Sequence, residues 1–405
     1  MKISLAVSAV ALLLSSFASQ AQPDYDQYTR GRYIATLADC SACHTRDPQQ
    51  PFAGGVRLQT PFGTLVGANI TPDRETGIGT WSYDDFRRAM TEGIGHDGKR
   101  LYGAMPFTAY TKMPEKDLQD LWAWMQTLQP LYQPVETNQL PFPFNIRTSL
   151  MVWNWINFTR GEYQPDAKRS AQWNRGAYLV AGPGHCGTCH TPKNLLGGDK
   201  GGKALQGEVV EGWYAPDLTS DPHRGLGKWS QQDIVSYLRT GVNRYDIASG
   251  PMADAVRHST RHWHDDDLQA VAVYLKSSGP AQVDKVPQPL AATDARMKLG
   301  AQIYGAKCSA CHRPDGGGEK NIFPQLADNP LLNQSDAISL IRVVAAGSRG
   351  VDTDAHPTAP AMPAFAGTLD NAEIAAVVTF IRNSWGNAAA PVSADEVKQV
   401  KAKLE

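Results

Sequence analysis

The chain contains six cysteines, and every one falls in the same five-residue pattern. They form Cys40-Ser-Ala-Cys43-His44, Cys186-Gly-Thr-Cys189-His190 and Cys308-Ser-Ala-Cys311-His312. Two thiols at i and i+3 share one face of a helical turn, and the histidine follows directly. Three disulfides would leave the recurring histidine unexplained. Structural zinc wants four N or S ligands per ion, whereas each cluster offers three. Covalent haem accounts for the whole pattern. The thiols add to the two vinyl groups of one porphyrin, and the imidazole becomes the proximal ligand of the iron. The motifs therefore predict three covalently bound haem c groups.

A haem that only carries electrons closes its coordination with a soft thioether. Met105 lies in Gly103-Ala-Met-Pro106, Met252 in Gly250-Pro-Met-Ala253 and Met362 in Pro360-Ala-Met-Pro363, which is 61, 62 and 50 residues after His44, His190 and His312. Each Gly/Pro-rich stretch precedes an apolar-periodic helix and can hold a side chain over the distal face. Met113 is the rival of Met105, and His96 and His356 are the alternative distal ligands. Met90 and Met125 read as core filler, being at helical spacing among apolar residues.

The N-terminus carries Lys2, an apolar run from Ile3 to Leu14, and small residues at Ser19 and Ala21. This predicts a signal peptide over 1–21, and hence an exported chain, soluble or peripherally bound. Lys and Arg total 39 against 40 Asp and Glu, so no basic excess supports nucleic-acid binding. No later stretch is apolar for long enough to span a bilayer.

The surroundings of the motifs repeat as well. Arg30-Gly-Arg-Tyr33, Arg175-Gly-Ala-Tyr178 and Leu299-Gly-Ala-Gln-Ile303-Tyr304 precede them. Middle helices are expected to stop at Gly93, Gly241 and Gly347. Final helices show apolar positions at i, i+3, i+4 and i+7: Leu118, Leu121, Trp122, Met125, then Leu268, Val271, Ala272, Leu275, then Ile374, Val377, Val378, Ile381. Asp370-Asn-Ala-Glu373 opens the last one like a capping box. His262-Trp-His264-Asp-Asp-Asp267 reads as the start of a helix rather than a metal site. Each unit is expected to run helix, motif turn, irregular loop, helix, Met loop, helix.

This architecture resembles the class I cytochrome c fold. The markers Asn69-Ile-Thr-Pro-Asp73, Gly77-Ile-Gly-Thr-Trp81-Ser82 with Gly225-Leu-Gly-Lys-Trp229-Ser230, Thr111-Lys-Met113 and Pro141-Phe-Pro-Phe-Asn145 narrow the likeness. They resemble the three-haem cytochrome c subunit of bacterial membrane-associated alcohol, gluconate, sorbitol and fructose dehydrogenases. The expected fold is all-α: three tandem class I cytochrome c-like domains over 22–135, 165–282 and 290–387, each built around one covalently attached haem. An aromatic linker covers 136–164, and a polar tail covers 388–405. The resemblance implies a separate large dehydrogenase subunit using PQQ, FAD or molybdenum, with a small subunit beside it. It also implies electron delivery to ubiquinone or another cytochrome at the inner-membrane surface, and His44/Met105, His190/Met252 and His312/Met362 as axial pairs. The chain itself is then not an enzyme. The competing readings are a free-standing periplasmic shuttle and a haem enzyme with one open iron. The segment from Phe142 to Phe158, with Trp153 and Trp155, is expected to wedge between the first two units. Its other reading is a membrane or quinone contact.

Overall fold

The computed structural model describes residues 25–279 and 285–404. The signal peptide expected over 1–21 lies outside the described residues. Sixteen α-helices are present among the described residues, with three small antiparallel sheets.

Helix α1 (Tyr25–Leu37) leads into α2 (Cys40–His44), the first haem motif. A hairpin follows, β1 (Arg57–Thr60) with β2 (Gly63–Val66), and then α3 (Tyr83–Glu92), α4 (Phe107–Tyr110) and α5 (Glu115–Met125). The aromatic stretch adds β3 (Asn138–Gln139) to the edge of β2 and then forms α6 (Leu150–Asn157). The order recurs in α7 (Ala171–Ala181), α8 (Gly187–His190), the hairpin β4 (Gln206–Val210) and β5 (Trp213–Asp217), α9 (Gln231–Thr240), α10 (Pro251–His258) and α11 (Asp265–Ser277). It recurs again, shortened, in α12 (Ala295–Lys307), α13 (Ser309–His312), α14 (Ile338–Ala346), the two-residue strands β6 (Ser348–Arg349) and β7 (Ala361–Met362), and α15 (Asn371–Ile381). Last comes α16 (Ala394–Lys401). None of the described helices is long and apolar enough to cross a membrane.

Local chemistry sets the helix ends. Ser82, Ser230, Asp370 and Ser393 each form a reciprocal capping box with the acid three residues on. Gly93, Gly241 and Gly347 close the middle helices with positive φ. Three helix pairs, α1/α5, α7/α11 and α12/α15, cross at a glycine. A Cβ on Gly31, Gly176 or Gly300 would lie 2.0, 2.0 and 2.3 Å from the carbonyl oxygens of Asp120, Ala270 and Ala376. Only glycine lets the two backbones come that close.

Two expectations are corrected. The fold is mixed rather than all-α, because the loops after the haem motifs contain strands. Val209-Val210 and Trp213-Tyr214 are β-formers flanking Glu211-Gly212, which adopt φ of 51° and 75° as a tight primed turn requires. That hairpin signal is short, and the surrounding Gly and Pro masked it. Nor does the packing divide into three tandem class I cytochrome c-like domains. Ile34, Leu37, Leu118 and Leu121 belong to the same buried apolar cluster as Leu179, Leu268 and Val271, so the first two units share one core. A second cluster holds Ile303, Ile341, Ile374 and Val377. It also contains Val397 and Val400 of α16, so part of the stretch read as a polar tail packs against α15.

The shared core has reciprocal polar seams. The Tyr33 hydroxyl on α1 donates to Asp267 on α11 at 2.7 Å, and the Tyr178 hydroxyl on α7 donates to Asp117 on α5. Asp117 and Asp267 hold the same place, one residue before Leu118 and Leu268 in matching Asp-Leu-Gln sequences. The first two units therefore meet about an approximate two-fold axis. Arg175 adds a bidentate pair to Asp267 at 2.7 and 2.8 Å, and the Tyr33 ring stacks on His264 at 3.9 Å.

The aromatic linker does two things at once. The Trp153 indole donates to the Leu196 carbonyl at 2.7 Å, and its ring lies edge-on to Phe107. This side is a wedge between the first two units. Trp155, on the other side, is 85% exposed, in company with Phe142, Met151, Val152 and Ile156.

Candidate functional site

Each haem motif forms a short helical turn directly after the first helix of its unit. No two of the six cysteines are joined in a disulfide, so each pair is available for thioether bonds. Before any such bond forms, burial pushes the Cys40, Cys43 and Cys186 thiols up to about 12 and Cys308 up to about 11. Among the described residues no three or more His, Cys, Asp or Glu side chains cluster as metal ligands, so the thiols of one motif do not converge with its histidine as zinc would require.

The three histidines share one geometry. His44 Nδ1 meets the Ala68 carbonyl at 2.6 Å, His190 Nδ1 meets Pro216 at 2.7 Å, and His312 Nδ1 meets Pro324 at 3.0 Å. A carbonyl can only accept, so each Nδ1 carries the proton and each Nε2 keeps its lone pair. Burial also lowers all three below the ordinary imidazole value, His190 to about 4, although the carbonyl contact opposes this. They are neutral, oriented by a hydrogen bond behind the ring, and have the tautomer a metal-ligating histidine needs. Sequence reasoning did not find Ala68, Pro216 and Pro324. Their role is carried by a backbone oxygen, and their distances from the histidines vary between 12 and 26 residues.

The second and third motifs open into one continuous cavity of about 450 Å³. It brings Cys186, Cys189, His190 and Met252 together with Cys308, Cys311, His312 and Met362. The remaining walls are largely apolar. The Trp229 indole N–H is buried there without a partner, a donor that a polar group of a bound cofactor would satisfy. The residues fit haem. In the first unit, Cys40 and Met105 pack against the shared apolar cluster, and Met113 is fully buried inside it. The methionine environments are more regular than irregular loops: Met252 lies in the first turn of α10 and Met362 in β7. His96 rests against Asp85 and Trp81, and His264 stands just before α11 with its ring stacked on Tyr33.

The Cytochrome c family model matches residues 174–279 and 297–385. The cytochrome c subunit of the quinone alcohol dehydrogenase of Gluconobacter oxydans is 38% identical, with 97% of this chain aligned to 86% of the relative. The chain belongs to the family of cytochrome c subunits of dehydrogenases. The gluconate 2-dehydrogenase cytochrome c subunit of Pantoea cypripedii is 39% identical over 97% of this cytochrome and 95% of its own length. The fructose dehydrogenase cytochrome subunit of Gluconobacter japonicus is 37% identical over 92% and 82%. The cytochrome therefore binds haem c covalently and works as an electron-transfer subunit, not as a catalyst on its own. The family model's two segments cover the second and third motifs and leave the first outside.

Proposed function

We propose that this cytochrome subunit holds three haem c groups and passes electrons from a dehydrogenase subunit to ubiquinone or the respiratory chain. Cys40 and Cys43, Cys186 and Cys189, and Cys308 and Cys311 are the thioether anchors. His44, His190 and His312 are the proximal ligands, and Met105, Met252 and Met362 the distal ones. The observation that carries this reading is the threefold His Nδ1-to-carbonyl contact, which leaves three equivalent Nε2 lone pairs beside three thiol pairs.

Bound haem supplies a one-electron redox centre. The chain's residues orient the imidazoles, keep them neutral, and wall the sites with apolar side chains that exclude water. The donor is a partner that oxidises its substrate with PQQ, FAD or molybdenum, as the quinone and gluconate dehydrogenase relatives suggest. The protein works in the periplasm after loss of residues 1–21. The exposed apolar side of α6 and the Phe142–Ile146 stretch supports peripheral attachment to the inner membrane.

Intact mass and haem staining of the exported protein test the count. Three haem masses per chain are expected, and fewer overturn the proposal. Purification from native membranes tests the partner: a dehydrogenase subunit is expected to co-purify, and recovery of the cytochrome alone contradicts a docked subunit. Met105→Leu should remove the far-red absorption of one thioether-ligated ferric haem, whereas Met113→Leu should cost less than about 1.5 kcal/mol and leave the spectrum unchanged. The reverse outcome reassigns the first distal ligand.

A further inference from the structure

Arg382 caps the C-terminus of α15 and is only 3% exposed. Its Nε donates to the Leu332 carbonyl and one Nη1 N–H to the Ala390 carbonyl, both at 3.0 Å; one Nη2 N–H goes to the Gln334 carbonyl. All three acceptors are neutral. A guanidinium carries five N–H donors and stays charged at any physiological pH. One N–H on each Nη is thus left over, and among the described residues no carboxylate forms an ion pair with Arg382. Asp336 and Glu396 act on it only from further away, and burial is the dominant influence on the charge.

A buried cation with no carboxylate in contact is costly, and such groups persist where something anionic meets them; Asp336 lines the same cavity as Arg382 but makes no ion pair with it. Arg382 lines the same cavity as Cys308, Cys311, His312 and Met362. A haem seated there brings two propionate carboxylates, the type of group that arginine binds through paired N–H donors.

The register of the repeats adds a second observation. Arg382 lies eight residues after Ile374, the first buried apolar residue of α15. At the same distance after Leu268 on α11 stands Lys276, whose ammonium donates to the Leu226 and Gly227 carbonyls at 3.0 and 2.7 Å. At the same distance after Leu118 stands Gln126, exposed and uncharged. A cation directed at backbone carbonyls therefore recurs in the second and third units and is missing from the first; of the two, only Arg382 lines the cavity.

The geometry points to Arg382 as the counter-ion of the third haem's propionates, and through that charge as a residue that holds the potential of this haem up. The assignment rests on a haem at Cys308–His312. Full-length holoprotein carrying Arg382→Gln is titrated spectroelectrochemically beside wild type and Arg382→Lys. One midpoint should fall by at least a ten-fold step in its reduction equilibrium, about 59 mV for one electron. That midpoint should also become pH-dependent as a propionate takes up a proton, and Arg382→Lys should restore most of it. Lower thermal stability with every midpoint at its wild-type value would mean that Arg382 merely ties three carbonyls together, and would overturn the assignment. Should Arg382→Gln not assemble, wild type carries the test. Redox-triggered infrared difference spectra should show that haem's propionates ionised from about pH 6 to 9, and a propionate that protonates within this interval overturns the assignment. Intact mass separates the two levels of failure. Three haems without a shift refute Arg382 alone, whereas fewer than three in wild type refute the haem reading beneath it.

Discussion

Replacing Gly176 by alanine should destabilise the protein, although alanine favours a helix interior over glycine by about 1 kcal/mol. The new Cβ would lie 2.0 Å from the Ala270 oxygen and 2.5 Å from its carbonyl carbon. Both are backbone atoms of α11, so the clash is relieved only if α7 and α11 part by about 1 Å, a gap that forfeits a quarter to a half of each dispersion contact. Leu179, Leu268, Val271 and Leu275 are all buried in the cluster that these helices share. Four such side chains represent roughly 6–12 kcal/mol of burial, so losing a quarter costs about 1.5–3 kcal/mol. Less the propensity gain, the net is about 0.5–2 kcal/mol, or a Tm lower by about 1–4 °C at roughly 2 °C per kcal/mol for a cooperative unit of this size. The assay is thermal unfolding of the holoprotein followed at the helical far-UV band. Gly305→Ala on α12 is the control, since nothing lies within 4 Å of a Cβ there; it should raise Tm slightly. A Gly176→Ala protein melting at or above wild type would refute the close-crossing argument.

Further outcomes follow from the seams and surfaces. Tyr33→Phe and Tyr178→Phe each delete a hydroxyl bonded to a carboxylate and should each cost about 1.5–3 kcal/mol in chemical denaturation; a neutral result at both sites would mean that the reciprocal contacts contribute nothing. Burial, with Asp254 adding to it, pushes the Asp39 carboxyl up to about 8. The folded state therefore holds a proton that the unfolded chain has released above about pH 4, and stability should fall as pH rises from about 4 to 8. Asp39→Asn should flatten that slope, with its largest gain above pH 8; an unchanged pH profile contradicts this. Trp153→Ser should lower Tm, while Trp155→Ser should leave Tm unchanged and weaken sedimentation with anionic vesicles. Equal effects on stability would make both residues core.

Much of the site was legible because covalent chemistry needs fixed spacing. Cys40, Cys43 and His44 must sit within one turn, so the motif survives in the sequence, and the apolar period of Leu268, Val271 and Leu275 marks α11 for the same reason. The hairpin around Glu211-Gly212 was not legible: four or five residues per strand give too little alternation to stand out from the neighbouring glycines. The fused core of the first two units was hidden for another reason. Tyr33 and Asp267 are 234 residues apart, and no local pattern announces that pairing. The carbonyls behind the histidines left no side-chain signature at all, and Arg382 reads as an ordinary charged residue until its burial is known.

The back-to-back union of the first two units sets a limit on motion. With Tyr33 clasping one half and Tyr178 the other, neither half can swivel without breaking both clasps together. Redox groups tethered at Cys43 and Cys189 would keep a constant tunnelling distance whatever docks outside. The joint with the third unit is closed in the same spirit: Val351 is buried against Ala248, Ala253 and Val256, and Asn329 and Asn333 donate to the Tyr245 and His223 carbonyls.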